Sequence, residues 1–311
     1  MAIYDCCMIF DEIDLLKIRM DLLNSIVDYF VVIESNKTFR GGDKKYTFLE
    51  RKGEFSAWSD KIVYIKAENA PEWSGDGDWS IEKYQRNCMI EGLGNCREED
   101  LIMISDVDEI PNPEIIANLS SLKKSIGGGG KKIRRLGYAV SEMSKREMGR
   151  LILGELSAEE LLERFPILLL QSNHYYFMNC ESKVAWPGTV ICKFKNMMFP
   201  QTLRDKRMIF FNIKDAGWHF SYLGGIDQIK RKLSSIIDDR PEIINKMKAF
   251  STQDDYIRDC LEKGEDLFGR KDGMNNFCFI SPDKIGLPNI ELLIKEYPEF
   301  FAPFYGKREK I

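Results

Sequence analysis

The chain has 311 residues, 44% hydrophobic and 30% charged, enough to build a sizeable core in one large α/β domain or two small ones. Its net charge of −4 and pI near 5.6, with no dominant Lys/Arg block, argue against a nucleic-acid partner. Eight cysteines without a Cys-x-x-Cys pair, and only two histidines, argue against a zinc site and a disulfide framework.

A reducing compartment is the simpler setting for those thiols. Cys6, Cys7 and Cys192 lie in apolar runs and read as small core residues. No apolar run is long enough to span a bilayer, and the N-terminus lacks a secretory signal pattern. A cytoplasmic location with no membrane span is therefore expected.

In chain order, residues 4–10 read as a strand and 12–23 as a helix with apolar residues at helical spacing. Residues 28–35 form a buried strand ending in Glu34, and 61–67 a third strand. Residues 80–92 read as a helix, 101–105 as the fourth strand, and 113–126 as a helical stretch before four consecutive glycines, 127–130. Those glycines read as a connector, because no strand leads in and no Gly-Lys-Ser/Thr follows. The long loops 36–46 and 70–79 are candidate binding loops. Lys131-Lys132-Ile133-Arg134-Arg135 reads as a solvated basic face. Residues 131–170 look helical, with a capping box at Ser157 and Glu160. Short strand-like runs resume at 175–177, 190–194 and 209–213, an amphipathic helix covers 226–237, and a proline-broken tail runs to Ile311. Continuous apolar strands alternating with helices predict a doubly wound, mainly parallel sheet.

The densest chemical signal is Leu101-Ile102-Met103-Ile104-Ser105-Asp106-Val107-Asp108-Glu109-Ile110-Pro111. A buried strand runs out into three carboxylates within four residues, and Pro111 stops simple continuation. In extended geometry Asp106 and Asp108 share one side of the strand. Carboxylates that close repel one another unless a cation lies between them. Oxygen-only ligands favour Mg²⁺, Mn²⁺ or Ca²⁺, and a hard cation between carboxylates and phosphates is a common way to hold a nucleotide. The bland alternative is a solvated Asp-x-Asp turn.

Three groups of residues carry a resemblance to glycosyltransferase family 17. Tyr4-Asp5-Cys6, Asp11-Glu12-Ile13-Asp14-Leu15-Leu16 and Val27-Asp28-Tyr29-Phe30-Val31-Val32-Ile33-Glu34 resemble its start. Gln85-Arg86-Asn87 and Ser105-Asp106-Val107-Asp108-Glu109-Ile110-Pro111 resemble its central block. Asp215-Ala216-Gly217-Trp218-His219-Phe220-Ser221, Lys246-Met247-Lys248-Ala249-Phe250 and Lys263-Gly264-Glu265-Asp266-Leu267-Phe268 resemble its C-terminal block. The resemblance weakens across 123–185.

It implies a GT-A fold, Rossmann-like, over a single domain 1–311. Residues 1–122 would form the nucleotide-sugar half, 123–170 a helical insertion, and 171–311 the acceptor half with a helical tail. It implies an inverting reaction that moves a sugar from a UDP-sugar, UDP-GlcNAc first, to a saccharide hydroxyl of a glycan acceptor. Mn²⁺, or Mg²⁺ in its place, would be held by Asp106, Asp108 and His219. Phe10, Glu34, Arg86, Asn87 and Asp106 would contact the donor. Asp215 is the favoured general base, with Glu109 as its competitor. Each has a plainer alternative: Glu34 exits to solvent, Arg86 pairs with Glu82, and His219 packs in the core. His174 reads as structural, and the loop Trp186-Pro187-Gly188-Thr189 as a border of the sugar site. Rival functions are a carboxylate–metal nucleotidyltransferase or phosphohydrolase, and a calcium-dependent carbohydrate-binding module without catalysis.

Overall fold

The computed structural model describes residues 1–75, 77–123, 126–127, 143–235, 249–269 and 277–303. Within it the chain divides into two compact units. Unit 1 comprises Met1–Trp73, Trp79–Gln171 and Pro187–Gly217; unit 2 comprises Ser74–Asp78, Ser172–Trp186 and Trp218–Ile311.

Unit 1 is built on strands β1 (Ile3–Ile9), β2 (Tyr29–Ser35), β3 (Ile62–Ala67) and β4 (Leu101–Asp106). They are parallel, in the order β3-β2-β1-β4. Alternate residues feed two separate apolar layers. Cys7, Ile9, Phe30, Val32, Leu101 and Met103 face one layer, together with Ile13, Leu16, Met20 and Leu23 of the helix Ile13–Leu23. Cys6, Met8, Val31, Ile33, Ile102 and Ile104 face the other, with Cys88, Met89 and Leu93 of the 3₁₀ segment Cys88–Leu93. Burial on both faces is why these strands read as unbroken apolar runs rather than as alternation. Cys6, Cys7 and Cys192 are all buried in this core, as expected.

The short strands β5 (Glu109–Pro111) and β6 (Ile126–Gly127) follow. Strands β7 (Ile167–Tyr175) and β8 (Cys180–Lys193) are each divided between the units. In unit 1, β8 runs antiparallel to β4 (Leu101 opposite Lys193, Ile104 opposite Val190). There β7 pairs in parallel with β9 (Phe211–Ile213), and β6 is antiparallel to β9. The sheet is therefore mixed, which corrects the expectation of a mainly parallel one.

In unit 2, β10 (Gly217–Ser221) is parallel to the end of β7, and β11 (Phe277–Phe279) is antiparallel to the start of β8. Tyr175, Tyr222, Ile229, Tyr256, Ile257 and Leu267 form the apolar cluster of this unit. They bind it to the helices Gly225–Ser235 and Gln253–Lys263.

Three further expectations change. The helix expected over 113–126 is only Pro113–Ala117. Asn118 leaves helical geometry there (φ −114°) and turns its amide back onto the Glu114 carbonyl. The helical reading of 131–170 holds for Lys145–Ile152 and Ala158–Leu162, the second opened by the Ser157–Glu160 capping box. It fails from Ile167, where four apolar residues enter the sheet as β7. The helix expected over 80–92 ends at Asn87 and tightens into the 3₁₀ segment. The basic cluster at 131–135, most of the glycine run and residues 236–248 lie outside the described residues. Among the described residues no helix is long and apolar enough to cross a membrane.

Gly217 has φ +142°, and a Cβ there would stand 2.1 Å from the carbonyl oxygen of Ile110 and 2.9 Å from the Cα of Pro111. Backbone strain and overpacking act together at this position. Gly217→Ala is expected to lower stability by about 2–4 kcal/mol. An unchanged urea midpoint would contradict that.

Candidate active site

The order β3-β2-β1-β4 reverses direction at β1: β2 and β3 extend to one side, and β4 is added on the other. Ligands in open α/β sheets bind beyond the carboxyl ends of strands at such a reversal. Register sets which residues arrive there. Ile9 is opposite Glu34, and Met8 is opposite Asp106. Phe10, Glu34, Asp106 and the turn after it thus lie towards one edge of the sheet.

A buried arginine fixes the shape of that segment. Asp5 lies on the β1 face shared with Cys7 and Ile9, over which the helix carrying Arg19 packs. The Arg19 guanidinium donates from Nε and Nη2 to the two Asp5 oxygens, at 2.8 and 2.6 Å. Nη1 donates to the carbonyls of Asp106, Val107 and Glu109 at 3.1, 3.2 and 2.8 Å, and Nη2 also to Ser105 Oγ at 2.6 Å. One planar fork therefore serves three carbonyls of the Asp106–Glu109 turn. Sequence reasoning missed Arg19; the signal was an acidic residue inside an apolar strand and a basic one on the apolar face of the next helix.

The side chains of the turn meet a second layer of arginines. Arg86 Nη2 donates to Asp106 Oδ1 at 2.8 Å, and Arg204 Nη2 to Asp106 Oδ2 at 2.8 Å. Arg204 Nη1 reaches both Glu109 oxygens, at 2.6 and 2.7 Å, and Glu109 Oε2 accepts from the Asp106 backbone N–H at 3.0 Å. Burial alone would raise the Asp106 pKa, but Arg204 and then Arg86 outweigh it and hold the carboxyl far below the usual range. Burial would also weaken the Arg204 charge; Asp106 and Glu109 reverse that and raise its pKa. Arg86 bonds Glu82 as well, at 2.9 Å, so the expected ion pair with Glu82 and the contact with Asp106 both exist.

The helix Pro200–Lys206, which carries Arg204, is held by the Gln85-Arg86-Asn87 stretch. Asn87 Oδ1 accepts from the Gln201 backbone N–H at 3.0 Å, and Arg86 Nη1 donates to Gln201 Oε1 at 2.6 Å. Asn87 thereby positions the arginines. Arg207, just beyond this helix, donates from Nη1 to the Arg204 carbonyl at 2.9 Å. Arg204 and Arg207 were also missed, since nothing in their local sequence marks them.

The remaining expected site residues have these surroundings. Glu34 is fully buried and accepts from Lys44 Nζ (3.0 Å), Tyr64 Oη (2.9 Å) and the backbone N–H groups of Thr47 (2.6 Å) and Phe48 (3.2 Å). Its carboxylate organises the 44–48 segment from inside the fold. Phe10 is half-buried, its N–H bonded to Glu12 Oε2 at 2.9 Å, with Lys44 Nζ 5.4 Å from its ring centre. Asp108 is buried. Asp215, in unit 1, is exposed at a turn with φ 53°.

His219 belongs to unit 2, where it is buried, its Nδ1 is 2.9 Å from Asn173 Oδ1, and Trp186 stacks on its ring at 4.2 Å. His174 is fully buried, and burial first, then His219, pushes its pKa down to about 3. That neutral, packed environment agrees with a structural role.

Both Asp106 oxygens already accept from guanidinium groups, so a cation would compete with Arg86 and Arg204 for them. Asp108 offers the hard oxygen chemistry that Mg²⁺ and Mn²⁺ prefer. Such ions are commonly held by one or two carboxylates, with substrate phosphates and water filling the other positions. Among the described residues no three His, Cys, Asp or Glu side chains gather into a metal-holding cluster.

The chain is similar to known proteins over part of its length. Beta-1,4-mannosyl-glycoprotein 4-beta-N-acetylglucosaminyltransferase of Homo sapiens and that of Rattus norvegicus are each 34% identical to it over 106 residues. The Mus musculus counterpart is 33% identical over 106 residues. Each match covers 32% of this chain and 20% of the relative, so the chain spans about a fifth of those proteins' length. Residues 1–126, which hold β1 to β5 with Arg19, Arg86, Asp106 and Asp108, match the sequence model of glycosyltransferase family 17.

Proposed function

We propose that this protein is a glycosyltransferase with a GT-A arrangement, moving N-acetylglucosamine from UDP to a saccharide hydroxyl with inversion. The observation that supports it most is the gathering of Asp106, Asp108, Arg86 and Arg204 beyond the carboxyl end of β4, beside the strand-order reversal. A diphosphate leaving group needs positive charge close to it, and a nucleotide needs acceptors for its ribose hydroxyls. Arg86 and Arg204, while holding Asp106, keep that edge rich in positive charge. Asp106, kept ionised by them, supplies the second.

Asp108 is the residue that would hold Mg²⁺ or Mn²⁺, which as a Lewis acid would offset charge on the departing UDP. Asp215 is proposed to take the proton of the acceptor hydroxyl as that oxygen attacks the sugar carbon opposite the UDP. Glu109 is less suited to this task, because Arg204 holds both of its oxygens.

Thermal unfolding of the purified protein with UDP, UDP-GlcNAc and other nucleotides, in Mn²⁺ or EDTA, tests the reading. UDP at about a hundredfold excess over its Kd should stabilise by about 2–3 kcal/mol. Asp108→Ala should remove the Mn²⁺-dependent part of that gain. Indifference to every nucleotide would favour the carbohydrate-binding alternative, and turnover of nucleoside triphosphates without sugar transfer would favour the phosphohydrolase one.

A further inference from the structure

Arg207 stands apart from the other arginines of the cluster. Arg86 and Arg204 are each matched to carboxylates, whereas the hydrogen bond of Arg207 goes to the Arg204 carbonyl. Its Nε, like that of Arg86, is buried and has no hydrogen-bond partner among the described residues; unlike Arg86, Arg207 makes no hydrogen bond to a carboxylate there. A partly buried cation with no carboxylate in hydrogen-bond contact is costly, and a second guanidinium beside it adds repulsion. Burial first, then Arg204, bring its pKa down to about 10. A charge kept at such a cost, beside Asp106 and at the end of the helix that Asn87 anchors, has the character of a site awaiting an anion. Arginine suits this role, since its planar fork matches phosphate oxygens in a bidentate way.

Resting on the donor site proposed above, we propose that Arg207 binds the diphosphate of the donor, as a specificity-determining residue for a nucleoside diphosphate over the nucleoside. Arg204 is committed to Asp106 and Glu109 and cannot turn to the phosphates without exposing both carboxylates. Arg207 can do so without breaking an ion pair. In the donor complex its Nε and Nη2 would donate to phosphate oxygens while Nη1 stays on the Arg204 carbonyl.

The test compares wild type, Arg207→Gln and Arg207→Lys for binding of UDP, uridine and inorganic pyrophosphate by calorimetric titration, with unfolding midpoints measured without ligand. The substitution Arg207→Gln should weaken UDP and pyrophosphate by about tenfold to a hundredfold, the cost of losing hydrogen bonds to a charged group. Uridine binding should not change. The ligand-free midpoint should hold or rise, because a guanidinium crowded against Arg204 is gone; Arg207→Lys should recover part of the UDP affinity. Equal UDP affinity in wild type and Arg207→Gln would overturn the role of Arg207 and leave the donor site intact. Arg207-dependent pyrophosphate binding with no nucleotide binding would support the anion site and sink the donor reading. Wild type indifferent to both UDP and pyrophosphate would overturn both.

Discussion

Arg19→Met is expected to cost about 3–5 kcal/mol of folding stability, the range for breaking a buried ion pair from one side. Asp5 would be left buried without its charge partner, since it and Arg19 expose only 1% and 0% of their side chains. The carbonyls of Asp106, Val107 and Glu109 would lose their shared donor as well. The double variant Asp5→Leu/Arg19→Met separates these two losses. It should recover the part caused by the stranded carboxylate, giving a coupling energy of about 1–3 kcal/mol in the cycle. The carbonyl part should remain, and it falls on the turn that presents Asp106 and Asp108. The double variant should therefore be the more stable of the two and still bind UDP poorly. Urea unfolding of the four proteins measures the first effect; wild-type stability in Arg19→Met would refute the account of this turn.

Arg204→Met should be comparably severe, at about 3–5 kcal/mol, because Glu109 is fully buried and would lose the two hydrogen bonds from Arg204. Asp106 would keep the hydrogen bond from Arg86. This loss should depend on pH. Asp106 is held below its ordinary carboxyl pKa in the folded protein, so its contribution is present at neutral pH. That contribution disappears as pH falls from the ordinary value, about 3.9, towards the lower folded one. The stability gap between wild type and Arg204→Met should accordingly be widest near neutral pH and narrow below about pH 4. Denaturant midpoints across that range measure it. A gap independent of pH would show that Asp106 gains nothing from Arg204.

The ends of the parallel strands were readable from sequence because two signals coincided. Continuous apolar runs at 28–35 and 101–105 required burial on both faces, and each run stopped at a carboxylate. The partners of those carboxylates were not readable. Arg204 lies 98 residues beyond Asp106, on a short helix whose local sequence contains no motif. Glu34 and Glu109 looked available in sequence because burial is a property of the assembled sheet. Inside the fold, Glu34 is tied to the 44–48 segment and Glu109 to Arg204.

The antiparallel β8 was hidden for a different reason. It opens with Cys180-Glu181-Ser182-Lys183, pairing at Cys180, Glu181 and Ser182 with the short β11, and Pro187 interrupts its middle. Only Val190-Ile191-Cys192, beside β4, carries the apolar signature of a central strand. The helical reading of 113–126 failed because Asn118 competes for the backbone of its own helix.

A crystal structure with UDP and Mn²⁺ would test the central claim most directly. The account predicts a diphosphate in contact with Arg207 beyond the carboxyl end of β4, a metal ion on Asp108 bridging to it, and a ribose hydroxyl on Asp106. A nucleotide bound elsewhere on the chain, with Asp106 still closed between Arg86 and Arg204 and Asp108 touching neither metal nor phosphate, would contradict it.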